Sequence, residues 1–177
     1  MRFLFCFCLN FWVAFLSLAQ SQPSEDVVAP YQKDKNLPSF TIRLLDSTTI
    51  LSTKIIAKEK PTVFVLFSPD CDHCAQLARE LKADSQQFDE VNLLMLSPPM
   101  PLFDIKMFAH INGLVNKKLI VVGQDVDFFF GSFFRAETVP FVVIYDAKQK
   151  WFSTLKNMRN LDELRLELDK LKMDKKP

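Results

Sequence analysis

Residues 68–74 read SPDCDHC, and this stretch decides the fold and the chemistry that the rest of the sequence predicts. It follows the continuous apolar run of residues 63–67 and precedes a segment with helical periodicity. Two cysteines three apart on a first helical turn lie side by side, close enough to form a disulfide. Free backbone N–H groups and the positive end of the helix dipole favour the thiolate of the first cysteine. The pattern therefore predicts a thiol–disulfide centre at the mouth of a helix.

Residues 1–19 have the features of an export signal. Arg2 supplies a positive charge, residues 3–18 are almost entirely apolar, and small residues precede a cleavage site before Gln20. The apolar stretch is at the short end of what spans a membrane, so an uncleaved N-terminal membrane anchor is the alternative. Either form predicts an exported protein, in the periplasm or on the outer face of the membrane.

The cysteine count favours redox chemistry over a structural role. Cys6 and Cys8 lie inside the leader, so the mature chain keeps only Cys71 and Cys74. A disulfide that closes so short a loop contributes little to stability through chain entropy.

The length of 177 residues suits a leader and one domain. The charge is nearly balanced, with 22 basic and 21 acidic residues, so nothing indicates nucleic-acid binding.

The sequence after the leader predicts a polar linker at residues 20–36 and one α/β domain at residues 37–177. Residue alternation and apolar runs predict strands at 40–44, 49–56, 62–67, 91–96, 119–122, 141–145 and 151–155. Helical periodicity predicts helices at 74–88, 102–111 and 127–135, and a last helix from residue 160 to about residue 171. The alternation of strands and helices predicts a layered sheet with its site at the carboxyl end of the strand at 62–67.

Several side chains carry more specific predictions. Asp127 is expected to cap the third helix, and Asn160 with Glu163 has capping-box spacing at the last helix. The phenylalanines between residues 128 and 134 are interpreted as core, with a partly exposed aromatic surface for a protein substrate as the alternative. His110 is interpreted as structural.

The order of these elements resembles the thioredoxin fold, with Cys-x-x-Cys after the central strand and Val139-Pro140 before a later one. More narrowly, the chain resembles exported redoxins of the TlpA type, which overlap in sequence with the peroxiredoxin (AhpC/TSA) superfamily. Residues 37–46, 60–74 and 138–146 carry the resemblance, which extends over about residues 37–172. It implies a central mixed sheet flanked by helices, with an extra N-terminal strand and an inserted helix–strand unit.

The resemblance also implies roles for individual residues. Cys71 would attack a substrate disulfide, and Cys74 would resolve the mixed disulfide. Pro140 matches the cis-proline of the fold, which would turn the Val139 backbone towards an extended substrate; an ordinary trans proline is the alternative. His73 matches the histidine in the Cys-Pro-His-Cys centre of strongly oxidising periplasmic enzymes, and an exposed loop residue is the alternative.

Three features depart from the thioredoxin pattern. Asp70 replaces the usual tryptophan, Asp72-His73 replaces a dipeptide that commonly contains proline, and Val65 replaces a buried acid that assists proton transfer. A protonated His73 would stabilise the thiolate, whereas Asp70 and Asp72 would oppose it. The flanking acids favour a less oxidising centre, whereas the sequence does not determine which of the two opposing effects is larger.

These features together predict an exported thiol–disulfide oxidoreductase that acts on protein or peptide disulfides, as a reductase rather than an oxidant. No diffusible cofactor is expected, because the dithiol itself carries the electrons, and the resemblance implies a membrane partner that recycles them. A peroxidase of the same fold is one alternative, although Thr-x-x-Cys would be expected there instead of SPDC at residues 68–71. Another is a metal-delivery or partner-binding module, for which Cys71, His73 and Cys74 have only His110 as a distal ligand.

Overall fold

The computed structural model describes residues 28–56, 58–115 and 119–173. Within these ranges the strands are β1 (Thr41–Leu44), β2 (Ile50–Ser52), β3 (Thr62–Leu66), β4 (Asn92–Ser97), β5 (Ile120–Gln124), β6 (Phe141–Tyr145) and β7 (Trp151–Lys156). The α-helices are α1 (Pro30–Lys33), α2 (Asp72–Ala83), α3 (Leu102–Ile111), α4 (Phe129–Phe134) and α5 (Leu161–Met173). Short 3₁₀ helices lie at Thr53–Ile55 and Ser85–Phe88. The predicted leader at 1–19 lies outside the described residues.

One mixed sheet joins the seven strands in the order β2-β1-β5-β4-β3-β6-β7. Strands β3, β4 and β5 are parallel, and β6 and β7 extend the sheet as an antiparallel hairpin. The β1–β2 hairpin pairs antiparallel with β5, where a Cβ on Gly123 would collide with the Ile42 side chain. The predicted α/β class with a central mixed sheet flanked by helices is confirmed.

The two faces of the sheet bury different residues because successive side chains of a strand point to opposite sides. Val63 and Val65 of β3 join an aliphatic core under α2, α3 and α5. Phe64 and Leu66 join an aromatic core under α1 and α4. The predicted apolar stripe of the last helix is buried in the first core; its members are Leu161, Leu164, Leu168 and Leu171. Cys71 and Cys74 therefore lie on the aliphatic side: Cys74 belongs to that core, and Cys71 packs against it.

The phenylalanine cluster is core at its centre and exposed at its start. Phe130 and Phe134 are buried and their rings lie 4.5 Å apart, which confirms the core interpretation for these two. Phe128 is exposed. Its backbone adopts a left-handed conformation, with φ of 52°, and this delays the start of α4 until Phe129.

The prediction that Asp127 caps α4 was wrong. The Asp125 carboxylate accepts the N–H groups of Phe129 at 3.0 Å and Phe130 at 2.6 Å. Asp125 is buried beneath the first turn, whereas Asp127 is exposed and accepts the Thr41 hydroxyl at 3.4 Å. Because the helix starts two residues later than predicted, the aspartate that reaches its free N–H groups is the earlier one.

Other boundaries differ more modestly. The second strand ends at Ser52, because the Ser52 hydroxyl caps a 3₁₀ turn by accepting the Lys54 N–H. At α5 the Asn160 side chain accepts the Glu163 N–H at 3.4 Å, as predicted. The Glu163 carboxylate, however, accepts the backbone N–H of Arg159 and not that of Asn160. The last helix thus has half of the predicted capping box.

The segment before residue 37 packs against the domain over its described part. Tyr31 in α1 is buried, with its ring 5.4 Å from Phe134 and 5.3 Å from Trp151. Asn36 forms a bridge with Lys150. Ordered packing therefore begins before the predicted domain boundary. No helix within residues 28–56, 58–115 and 119–173 is long and apolar enough to cross a membrane.

Candidate active site

Cys71 is the N-cap residue of α2, immediately beyond the loop that follows β3. Its N–H donates to the Ser68 carbonyl at 3.2 Å and closes a turn, and its carbonyl accepts the Ala75 N–H at 3.0 Å as the helix begins. The turn carries the chain from the central strand into the helix within a few residues. Cys71 is therefore held at the edge of the sheet, where the first-turn N–H groups are free of carbonyl partners.

Cys71 and Cys74 form a disulfide, with Cα atoms 5.2 Å apart. Their environments differ: Cys74 is fully buried in the aliphatic core, whereas Cys71 is only partly buried against it. A disulfide of this kind offers one sulfur to an incoming thiolate and shields the other. The structure thus brings the two predicted reactive residues together and distinguishes the accessible one.

The backbone N–H of Cys74 points at the sulfur of Cys71. It donates to Cys71 Sγ at 3.2 Å, so the sulfur occupies the place that an oxygen takes in an ordinary N-cap. The same N–H and the helix dipole stabilise negative charge on that atom when the disulfide is reduced. This geometry favours the thiolate at Cys71.

Val139 and Pro140 lie next to Cys71, at the start of the strand that pairs with β3. Antiparallel pairing of Leu66 with Phe141 places the end of β3 beside the start of β6, so the residues flanking these strands meet at one edge. The peptide bond between Val139 and Pro140 is cis, as the resemblance implied. The Val139 carbonyl oxygen is 3.8 Å from Cys71 Sγ, a contact that becomes a hydrogen bond only when Cys71 carries a proton. Pro140 is buried, whereas Val139 is partly exposed.

Acidic groups flank the pair on its solvent side. The Ser68 hydroxyl donates to the Asp70 carboxylate at 2.5 Å, and this bond, followed by the backbone N–H of Asp70, lowers the pKa of that carboxyl. Asp70 is therefore ionised at neutral pH. Asp72 and His73 are both exposed on the first turn of α2.

The sequence analysis assigned no role to two neighbours of the site, Ser68 and Met100. Ser68 binds Asp70, and the Met100 sulfur lies 3.7 Å from the Ser68 oxygen. The serine two residues before an aspartate is a local signal that could have been recognised. Met100 could not, because it comes from the loop after β4 and reaches the site only through the fold.

The residues considered for metal binding do not assemble into a cluster. His110 is exposed near the end of α3. Among the residues that the structure describes, no group of three or more His, Cys, Asp or Glu side chains is placed to hold a metal ion.

Solved structures that align with this chain include a disulfide oxidoreductase and thioredoxin-like proteins. A secreted disulfide oxidoreductase of Mycobacterium tuberculosis, described as homologous to DsbE of E. coli, aligns at 18% identity with a TM-score of 0.62, covering 74% of this chain and 95% of that one. A thioredoxin-like protein of Porphyromonas gingivalis aligns at 22% identity with a TM-score of 0.59, covering 77% and 90%. StoA of Bacillus subtilis aligns at 14% identity with a TM-score of 0.60, covering 76% and 98%.

No protein-family model and no curated protein sequence matches this chain. The structural likeness, at such low identities, shows that the chain has the thioredoxin-like fold.

Proposed function

We propose that this protein is a thiol–disulfide oxidoreductase that exchanges disulfides with protein or peptide substrates. The observation that carries the proposal is the Cys71 sulfur at the N-cap of α2, where it accepts the Cys74 N–H at 3.2 Å. A structural disulfide needs neither partial exposure nor a stabilised anion. A nucleophilic thiolate needs both.

The reaction proceeds in two exchanges. The Cys71 thiolate attacks one sulfur of the substrate disulfide, forms a mixed disulfide, and releases the other substrate sulfur as a thiolate that takes up a proton. Cys74 then loses its proton and attacks Cys71 Sγ, which releases the second substrate thiol. The substrate gains two electrons and two protons, and the protein is left with the Cys71–Cys74 disulfide. The reverse sequence oxidises a dithiol.

Reduction of substrates is the favoured direction. A stabilised thiolate favours the reduced enzyme and makes its disulfide a stronger oxidant. The ionised Asp70 adjoins Cys71, and Asp72 follows it, so both negative charges oppose the thiolate. His73 on the same turn counteracts them when protonated. With two acids to one histidine, the flanking charges make the protein a better reductant.

Val139 and Pro140 form the opposite wall of the site and are proposed to bind substrate. An extended substrate backbone that pairs with Val139 would lie across the Cys71 sulfur, in the manner of an added strand. The 3.8 Å separation of the Val139 carbonyl from Cys71 Sγ supports this placement.

We place the protein outside the cytoplasm. The sequence of residues 1–19 predicts export, and a structural neighbour from M. tuberculosis is described as secreted. A reductase in an oxidising compartment needs a supply of electrons. A dithiol protein in the membrane is the class of donor that would return the Cys71–Cys74 disulfide to the dithiol.

The test is to trap the intermediate. With Cys74→Ser, the reduced protein mixed with a disulfide-bonded protein such as insulin should accumulate a mixed disulfide at Cys71, which mass spectrometry detects. The double variant Cys71→Ser/Cys74→Ser is the control and should form none.

Equilibration of the wild type with glutathione then measures its reduction potential, which is expected to be lower than that of the glutathione couple.

Three results would contradict the proposal. Absence of a mixed disulfide with Cys74→Ser would remove the mechanism. Faster oxidation of the reduced wild type by hydrogen peroxide than by protein disulfides would favour a peroxidase, and stoichiometric copper binding without turnover would favour metal delivery.

A further inference from the structure

Helix α3 exposes an apolar stripe on its solvent side. Phe103, Met107 and Ile111 are 68%, 39% and 71% exposed, and their spacing of four residues places them on one face. The opposite face is also apolar and is buried in the aliphatic core through Ile105, Phe108 and Ala109. A surface helix normally turns polar residues to water. Contiguous exposed apolar surface indicates a site for another molecule.

The stripe forms one wall of a groove that leads to the reactive disulfide. The groove has a volume of about 520 Å³, and its other wall includes Pro69 and Ala75, which lie on either side of Cys71 in the sequence. Met100, which contacts Ser68, lines it as well. A chain lying in the groove would therefore contact the residues that precede and follow the Cys71–Cys74 pair in the sequence.

The charges of the groove are arranged along its length. The ionised Asp70 lies at the end nearest Cys71, and Asp104 lies beside Phe103 in α3. At the far end the Arg79 guanidinium donates to the Asn112 side-chain oxygen at 3.0 Å. The end next to the disulfide is thus acidic, and it complements a basic side chain close to the substrate cysteine.

We infer that the groove between α3 and the start of α2 docks the substrate polypeptide, and that it selects disulfides flanked by large apolar side chains and a basic residue. This inference rests on the proposed function and names its substrate class. Apolar side chains of the substrate cover Phe103, Met107 and Ile111, and its basic side chain pairs with Asp70. Such segments are exposed in incompletely folded proteins.

The test compares three disulfides in single-turnover oxidation of the reduced protein. Peptide A carries an internal disulfide flanked by phenylalanine, leucine and lysine; peptide B has serine in place of both apolar residues; oxidised glutathione is the small probe. The variant is Phe103→Ser/Ile111→Ser. The matched control is Ile55→Ser/Leu166→Ser, whose apolar side chains are 70% and 62% exposed but do not line the groove. Leu166 is remote from the disulfide, because its neighbour Arg165 forms an ion pair with Asp84 at the opposite end of α2 from Cys71.

We expect the wild type to react faster with peptide A than with peptide B. In the stripe variant the second-order rate constant with peptide A should fall about tenfold, whereas that with glutathione stays within about twofold, since only the peptide buries the lost side chains. The control should keep both rates. Exchanging the lysine of peptide A for glutamate should slow the wild-type reaction about threefold at low salt and less at high salt.

Three outcomes would overturn the inference. If the stripe variant reacts with peptide A at the same second-order rate constant as the wild type, the stripe does not dock substrate. An equal loss with glutathione would place the effect in the redox centre. A dimer of the wild type that the variant abolishes in sedimentation, with unchanged peptide rates, would show that a second copy covers the stripe. Failure of the wild type to react with any of the disulfides would instead contradict the proposed function itself.

Discussion

The N-termini of α2 and α4 lie at the same edge of the sheet but hold different groups. Helix α2 follows β3 and α4 follows β5, and both strands run parallel to β4, so their carboxyl ends coincide. Each helix presents free N–H groups there. At α4 the fully buried Asp125 carboxylate accepts two of them, and at α2 the partly exposed Cys71 sulfur accepts one.

The difference shows how one backbone feature serves either stability or reactivity. A carboxylate buried under α4 satisfies N–H groups that would otherwise lack partners, and it cannot be reached by another molecule. A sulfur at α2 binds more weakly but stays accessible, and its charge depends on its redox state. Burial and atom type thus separate a structural cap from a reactive one.

Cys71→Ser is expected to have the largest effect, and only on chemistry. A serine hydroxyl is a preferred N-cap and can accept the Cys74 N–H, but it cannot form a disulfide. Exchange with insulin should fall to the uncatalysed rate. In urea denaturation, the free energy of unfolding should remain within about 0.5 kcal/mol of the reduced wild type, because the cap is retained. Residual exchange, or a larger loss of stability, would show that cap and nucleophile cannot be separated.

Asp125→Ala should have the converse effect, on stability alone. It leaves the N–H groups of Phe129 and Phe130 buried without their carboxylate partner, which should lower the free energy of unfolding by about 2–3 kcal/mol. Exchange by the folded fraction should be unchanged. Asp127→Ala removes an exposed carboxyl two residues later, so it is the control and should cost less than about 0.5 kcal/mol. Equal losses in the two variants would contradict the assignment of the cap.

The buried carboxyl should also make stability depend on pH. Burial raises the pKa of Asp125, against the two N–H groups, and the nearby Asp127 raises it further. In the unfolded chain an aspartate loses its proton near pH 3.9, whereas Asp125 in the folded protein keeps it to higher pH. Stability from this group is therefore complete below about pH 3.9 and is lost as the pH rises through the folded pKa, with a slope below about 1.4 kcal/mol per pH unit.

The measurement compares the wild type with Asp125→Asn in urea at several pH values from 3.5 upwards. The free energy of unfolding of the wild type should fall relative to the variant as the pH rises, because the variant has no proton to lose. A difference that stays constant or changes in the opposite direction would contradict the raised pKa.

Asp70→Asn should have the smallest effect. Removing the ionised carboxylate beside Cys71 relieves the opposition to the thiolate, so alkylation of the reduced protein by iodoacetamide at pH 7 should accelerate about twofold, within what an exposed charge contributes. The experiment uses a Cys74→Ser background so that only Cys71 reacts. Asp89→Asn, which changes an exposed carboxylate near the start of β4, is the control. A slower alkylation of Asp70→Asn would show that the Asp70 carboxylate does not oppose the Cys71 thiolate, and it would contradict the expected reductase direction.

Local patterns in the sequence predicted most of the fold. The strands β3, β4 and β6 are continuous apolar runs, and a run covered on both faces can form little else than a central strand. Helix α3 has the predicted bounds. The positions of Cys71, Cys74 and Val139-Pro140 at one edge followed from the resemblance, since strand order determines which loops meet.

Two features of the fold did not follow from the local sequence patterns. The cap of α4 depended on the left-handed Phe128, which shifts the helix start and makes Asp125 the partner in place of Asp127. The chain around α1 was predicted as a linker because it is polar, yet the Tyr31 ring packs between Phe134 and Trp151. The first depended on a left-handed backbone conformation that the residue type of Phe128 does not predict, and the second on contacts between segments far apart in the sequence.

The sequence by itself determined that a Cys-x-x-Cys pair follows a buried strand and opens a helix, because spacing and periodicity are local properties. Only the tertiary structure decided which sulfur is accessible and which surface adjoins it. Helix α3 is apolar on both faces, so its sequence cannot show whether Ile105 and Phe108 or Phe103 and Ile111 face the core. Packing against the sheet buries the first pair and leaves the second exposed along the groove between α3 and the start of α2, because a helix can turn only one face to the core.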